Sequence, residues 1–330
     1  VLKGRIQLEL TEFEGALTSF DTAVELDEEN EEAFYFKGVV YERIAQHEEA
    51  LEAFKQASEI SPSDAQYAVA VAEVLIDLER IDEAREFLER EETAYQHNAG
   101  VNQTLGHIAM MQGDTREAVE RFEQARLLAP DNTDIMEDLA GAQMEVGRFA
   151  EAEYTFSRLL EDPENADRRD LKHLKAKCLL QVDRPVEARK ILLELTDSNA
   201  GQADIEAWIA LGNVAYKLTD MARLRTASAR VVALDPNRFE GYLLRGLWER
   251  AQGQPSRAMK SLNRAIQLRG DDVTPLIVTG IIQREMGDIR GAREVFEMAR
   301  RQDPDNKTVA QFLELLNSRG GAVATHPDDQ

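Results

Sequence analysis

Residues with chemistry to offer are sparse and scattered along this chain of 330 residues. The single cysteine, Cys178, excludes an internal disulfide, and a lone thiol of this kind reads as a small buried apolar residue rather than a nucleophile. The histidines, His47, His97, His107, His173 and His326, stand at no metal-ligand spacing, and no CxxC, HExxH or EF-hand pattern occurs. There is no nucleophile elbow and no phosphate-cradling glycine loop, and no carboxylate pair stands out from the acidic background. The expectation is a chain with no catalytic residue, no metal and no cofactor.

Charge is the chemistry the chain does carry in quantity. The net charge is −23, and it is unevenly spread. Residues 1–165 hold 39 Asp and Glu against 13 Lys and Arg, giving −26, whereas residues 166–330 hold 23 against 26, giving +3. An acidic front half repels nucleic acid, and RNA binding by helical repeats would call for basic first helices. No apolar run approaches the roughly 20 residues that span a bilayer. The chain opens on Val1 with no leader pattern, which leaves an upstream piece and the compartment open. The lone cysteine fits the cytosol and does not exclude the periplasm.

The elements that position these charges are written in a repeat. Stepping by 34 residues from Gly4 reaches Gly38, Ala72, Gly106 and Ala140. The same step links Ala16, Ala50, Ala84, Ala118 and Ala152, and then Phe20, Phe54, Leu88, Phe122 and Phe156. The interval returns at Gly212, Gly246 and Gly280, and at Ala258 and Ala292. Each unit reads as two amphipathic helices. In 31–64 the second helix carries Ala50, Leu51, Phe54, Ala57 and Ile60 on one face, and Ser61-Pro62 stops it. Asp114 and Asp288, each just after a turning glycine, are placed to cap a second helix. Small residues such as Gly38 and Ala50 allow two helices to cross closely, and Phe54 fills the space beside them. A single pair cannot bury its apolar face, so the pairs must stack.

The chain resembles the tetratricopeptide repeat family, whose motif reads W-x2-L-G-x2-Y, then A-x3-F, then A and P. Phe34, Gly38, Tyr41, Ala50, Phe54, Ala57 and Pro62 match it in one copy, Leu105, Gly106, Ala118, Phe122, Ala125 and Pro130 in another, and Trp208, Leu211 and Gly212 open a third. Full units are placed at 31–64, 65–98, 99–132, 133–168, 169–204, 205–238, 239–272 and 273–306. Residues 1–30 read as a partial unit with a truncated first helix, 31–168 as an acidic half, 169–318 as repeats with two longer loops and a closing helix, and 319–330 as a disordered tail. In the closing helix Phe312, Leu315 and Leu316 are expected to cover the last pair, with Gln311, Glu314 and Asn317 in water. The resemblance implies an all-α, right-handed α-solenoid of stacked helix-turn-helix units.

The pattern breaks in two ways. Ala152 to Ala188 and Ala188 to Leu224 are each 36 residues, so loops near 163–170 and 196–204 gain length. In 205–238 the usual Ala is Leu224 and the usual aromatic is Ser228, which should alter local packing, with a tolerated degenerate repeat set against a change in curvature or a hinge.

The resemblance further implies that first helices line a concave groove that takes a peptide or protein segment. The groove positions are Tyr35, Glu42, Glu73, Asp77, Gln103, His107 and Glu137, then His173, Lys177, Asn213, Tyr216, Lys217, Arg250 and Arg284. Two subsites are expected, an earlier one for a basic or apolar segment and a later one for an acidic segment or a carboxylate, against the alternative that these charges only solvate an open surface. Asn213 sits where this family often sets an asparagine against a peptide backbone; the family's clamp for chaperone tails, a set of Lys, Asn and Arg over three successive units, is not found. The functional reading is a non-catalytic protein-interaction scaffold. The alternative is the repeat arm of a larger multidomain protein, an enzyme or a secretion or envelope-assembly machine, whose active part lies outside this chain. Oligomeric state stays open.

Overall fold

Nine residues in the left-handed region of backbone space mark out the architecture. In this computed structural model φ lies between +55° and +84° at Thr11, Ala45, Glu79, Gly113, Gly147, Asp183, Thr219, Gly253 and Gly287. Each is the turn between the two helices of one pair. The amide of Gly113 reaches Met110 O at 3.0 Å and that of Asp114 reaches Ala109 O at 2.9 Å, so the last carbonyls of the first helix are satisfied as the chain reverses. Asp114, Asp220 and Asp288 then cap the second helix, each accepting from an amide three residues on at 3.0, 3.2 and 2.9 Å.

The structure describes residues 1–90, 95, 97–198 and 201–320, the last three without their side chains. These hold nineteen α-helices and one short 3-10 turn at Gly201–Ala203. The chain divides into two units, Val1–Asp167 and a second starting at Arg168. The first contains α1 (Leu2–Glu9), α2 (Phe13–Leu26), α3 (Glu31–Arg43), α4 (His47–Ile60), α5 (Ala65–Asp77), α6 (Ile81–Arg90), α7 (Ala99–Met111), α8 (Thr115–Leu128), α9 (Thr133–Glu145) and α10 (Phe149–Leu159). The second contains α11 (Arg169–Gln181), α12 (Pro185–Asp197), α13 (Ile205–Lys217), α14 (Met221–Leu234), α15 (Phe239–Ala251), α16 (Pro255–Leu268), α17 (Thr274–Glu285), α18 (Ile289–Gln302) and α19 (Lys307–Gly320). Odd numbers are first helices of a pair and even numbers second helices, with α19 closing the series.

Within each unit the crossing of a pair is set by matched volumes. A Cβ at Gly38 would lie 2.5 Å from the Phe54 ring, and one at Gly106 would lie 2.6 Å from Phe122. Glycine at these two crossings thus leaves the room that the aromatic ring occupies. At Ala72 and Ala176 the first helix carries alanine and the filler is the smaller Leu88 or Leu192, all four buried, whereas Ala140 keeps the aromatic Phe156, buried as well. The degenerate repeat solves the same problem from outside its own pair. Ser228 is too small to fill, and its Oγ donates to Arg225 O at 2.9 Å. Leu244, from the next first helix, covers Gly212 in its place, and a Cβ there would stand 2.5 Å from Leu244 Cδ1. Leu224 is accommodated fully buried beside it.

The lengthened stretches have visible causes. α10 has 11 residues where α8 has 14, and its missing last turn is replaced by the loop 160–168, anchored by buried Asn165. After α12 the 3-10 turn is held by Trp208, whose Nε1 donates to Gly201 O at 3.0 Å. The closing helix corrects one expectation. Phe312 stacks on Phe296 with centroids 5.0 Å apart, but the apolar cover comes from Val309, Leu313 and Leu316, while Leu315 is exposed. The helix continues to Gly320, past the expected end at 318; residues 321–330, with His326 and nearly all of the expected tail, lie outside the described residues.

Two consequences are measurable by urea unfolding. Gly113→Ala should cost about 1 kcal/mol, and Ala45→Gly should gain a similar amount, because only glycine adopts the left-handed turn without steric penalty. Leu244→Ala should cost roughly 3 kcal/mol, since no filler of its own pair stands behind Gly212 to limit the cavity.

Candidate functional site

The first helices of each unit lie side by side, and their outward side chains meet across the boundary between repeats. Two offsets recur. Gln66 Nε2 donates to the Tyr35 hydroxyl at 2.9 Å, 31 residues away, and His107 Nε2 meets Asp138 Oδ2 at 2.9 Å, again 31 away. Gln103 Nε2 donates to the same Asp138 oxygen at 2.7 Å, and Arg250 Nε donates to Glu285 at 3.0 Å, each 35 residues away. The two offsets differ by one helical turn, so each outward residue is flanked by two on the next first helix.

On the first unit this geometry gathers acid. Glu42 of α3 lies 31 residues before Glu73 and 35 before Asp77, both on α5. Burial first, then the charges of Glu73 and Asp77, raise the Glu42 carboxyl above its ordinary value. Burial and then Asp77 raise Glu73 likewise, with His107 opposing. None of the three carboxylates is in an ion pair among the described residues. Beside them Tyr35 packs on Phe54 and Tyr67, with centroids 5.4 and 5.3 Å apart, and Val39, Val69 and Ile76 are half-buried on the same helices. His107 is held further along by Asp138. The hydrogen bond to Asp138 raises the imidazole above 6.5, helped by the charges of Asp138 and Glu73 and opposed by burial. Burial alone would raise Asp138, but the bonds from His107 and Gln103 outweigh it and hold it below 3.8. Glu137, the expected groove residue on α9, is half-buried and has interactions of its own.

On the second unit the positive face expected from sequence is narrowed. Lys217 pairs with Asp183 at 2.7 Å, and Arg250 is held by both oxygens of Glu285 and also donates to the Tyr216 hydroxyl at 3.3 Å. Two of the four cations are therefore already neutralised. Lys177 is exposed and in no ion pair among the described residues, and Arg284 lies over the Phe312 ring at 5.3 Å. Asn213 is exposed, with both functions of its amide uncommitted among the described residues. His173 Nε2 is buried with no hydrogen bond; Asp204 lies 3.7 Å away, but its oxygens serve the Ala207 amide and Arg169.

Sequence reasoning missed Asp138, Asp183 and Glu285, which decide the charge of the face. Pairing each outward residue with positions 31 and 35 later would have found Asp138 and Glu285. Asp183, a residue of the helix-to-helix turn, carries no such signal. Among the described residues no three His, Cys, Asp or Glu side chains gather as a metal site.

The His107–Asp138 pair makes a pH-dependent contribution. A raised imidazole pKa stabilises fully below 6.5 and loses that stabilisation as pH rises through the folded value; the depressed Asp138 loses its share only as pH falls below 3.8. The stability difference between wild type and Asp138→Asn should thus be larger at mildly acidic than at alkaline pH. The His107 ring signals should titrate above 6.5 in the wild type and lower in the variant.

Comparison with known proteins agrees with this architecture. The tetratricopeptide repeat profile matches residues 109–175, and that of anaphase-promoting complex, cyclosome, subunit 3 matches residues 5–91. Over 73 residues, 22% of this chain, the sequence is 36% identical to the protein CTR9 homolog of Arabidopsis thaliana, and the match spans only 7% of that protein's length. A crystal structure of a tetratricopeptide repeat protein from Parabacteroides merdae superposes with a TM-score of 0.59 at 18% identity, covering 76% of this chain and 98% of that one. PilW, a type IV pilus biogenesis factor, superposes with a TM-score of 0.53 at 16% identity, covering 65% of this chain and 98% of its own. At these identities the likeness shows the fold alone. Repeats of this kind build protein-interaction scaffolds, and no helix among the described residues is long and apolar enough to cross a membrane. Stacked hairpins with a 34-residue period, glycine or alanine matched to an aromatic or leucine filler, and a profile match over residues 109–175 give this chain the fold of the tetratricopeptide-repeat proteins.

Proposed function

We propose that this chain is a non-catalytic scaffold that holds a basic, partly apolar segment of a partner protein on the first-helix face of α3, α5 and α7. The observation that carries this reading is the cluster Glu42, Glu73 and Asp77, three carboxylates near enough that the charges of Glu73 and Asp77 raise Glu42, with no ion pair to any of them among the described residues. Like charges kept together at a cost to the folded chain are relieved when a Lys or Arg enters between them, and Tyr35, Val39 and Ile76 supply the apolar surface alongside. On the second unit, Asn213 can donate to and accept from a peptide backbone at once, and Lys177 supplies a charge for a carboxylate. Lys217 and Arg250 act there as struts between repeats.

A fluorescein-labelled peptide of alternating Lys and Leu, followed by anisotropy, tests the reading. Binding should weaken as salt is raised, and Glu73→Lys with Asp77→Lys should weaken it about tenfold or more, two charge contacts being lost and repulsion added. It should also weaken as pH falls toward the raised carboxyl range of Glu42 and Glu73, where the cluster takes up protons. Binding unaffected by these reversals, or equal binding of a Glu-Leu peptide at this face, sinks the assignment.

A further inference from the structure

The second helices carry a feature that the first-helix face does not use. A half-open cavity of about 820 Å³ lies between α14, α15 and α16, and none of the groove residues expected from sequence lines it. Arg225 enters from α14, and Arg257, Lys260 and Arg264 enter from α16. None of these four cations is in an ion pair among the described residues; Arg257 donates only to the neutral Gln254, at 3.0 Å. The one carboxylate present, Glu249, is buried and already committed. It accepts from Ser261 Oγ at 2.6 Å and from Arg245 Nε at 3.4 Å. Two aromatic faces complete the walls. Arg225 lies over Trp248 at 5.4 Å and Arg264 over Tyr242 at 5.9 Å, so both guanidinium groups stand within cation–π range of a ring.

The same position elsewhere in the chain shows what is particular here. A cavity of about 510 Å³ lies between α8, α9 and α10, with Thr155 bonded to Gln143 where Ser261 is bonded to Glu249. Its charges are mixed: Glu151 stands where Arg257 does, and Tyr154 where Lys260 does. The cavity between α4 and α6, about 520 Å³, is also mixed, with Glu59, Glu83 and Glu86 beside Lys55 and Arg90. The repeat therefore supplies a groove between successive second helices, and only between α14 and α16 is that groove, among the three, both enlarged and cationic. Ser228 lines it, at the position where other repeats place the bulky filler.

We propose that this cavity docks an acidic peptide segment of a partner protein, with carboxylates on Arg225, Arg257, Lys260 and Arg264 and an apolar side chain against Trp248. Charge complementarity argues for the acidic class. The size argues for a segment: four cations spread along two helices exceed what one small anion can engage, and the volume is that of a site for a larger ligand. The site is independent of the first-helix face.

The test uses the full chain and a fluorescein-labelled Asp/Glu peptide with a central Leu, followed by anisotropy, with the Asn/Gln counterpart as control. The acidic peptide should bind, the control should not, and rising salt should weaken the complex. Arg225→Glu with Arg264→Glu should weaken it about tenfold or more, while Lys177→Glu and Glu73→Lys leave it unchanged. Lys260→Gln, which removes a charge without reversal, should give a smaller loss in the same direction, and circular dichroism shows that each variant keeps its helix content. Equal binding by the reversal variant, or a loss produced by Lys177→Glu instead, overturns the proposal. So does full competition by inorganic phosphate at concentrations that leave ionic strength unchanged, which would assign the cavity to a small anion. Concentration-dependent dimerisation in sedimentation, abolished by the same reversal, would assign it to the acidic half of a second copy and equally overturn it.

Discussion

The structure depends on how closely the two helices of a pair can approach. Their contact is a small residue on the first helix, Gly38 or Ala72, against a filler on the second, Phe54 or Leu88. That contact makes a pair of helices into a slab with two apolar sides. A slab cannot exist alone in water, so the next pair must cover it. When the filler fails, as at Ser228, the constraint persists and Leu244 is drawn in from the neighbouring pair. The vacancy is met by coupling two repeats more tightly.

Stacking also fixes what the surface can do. Once first helices lie side by side, an outward residue meets two others on the next repeat, one turn apart. The face becomes a lattice in which charges are judged by their neighbours. Glu42, Glu73 and Asp77 fall on that lattice together, and burial with the neighbouring acid raises the carboxyls of Glu42 and Glu73, whereas Lys217 and Arg250 meet Asp183 and Glu285 and are neutralised. The net charges of the two halves, −26 and +3, do not reveal this difference, because the same composition can be arranged with like or unlike charges adjacent.

The grooves between second helices obey a similar logic. Their floor is set by the filler and their walls by residues free to vary, since those positions bury little. Gln143 with Thr155 and Glu249 with Ser261 are one polar contact written in two ways, while the rims around them differ in sign. A repeat thus preserves a cavity's place and leaves its chemistry to change.

The sequence by itself determined the helical class, the pairing and the small-residue crossings, because each is enforced anew every 34 residues and the repetition makes it legible. The capping aspartates, Asp114 and Asp288, and the crowding of the groove candidates onto first helices were readable for the same reason. It did not reveal that left-handed turns fall on Thr11, Ala45, Glu79, Asp183 and Thr219 as well as on glycines, since side chains there carry no mark of their backbone. Leu315, read as cover, is exposed because the register of α19 turns Leu313 inward instead. Only the tertiary structure decided which charges are spent and which remain. An ion pair between Arg250 and Glu285, or a cationic cavity drawn from three helices, is a property of distances across repeats, and a one-dimensional pattern records order along the chain but not those distances.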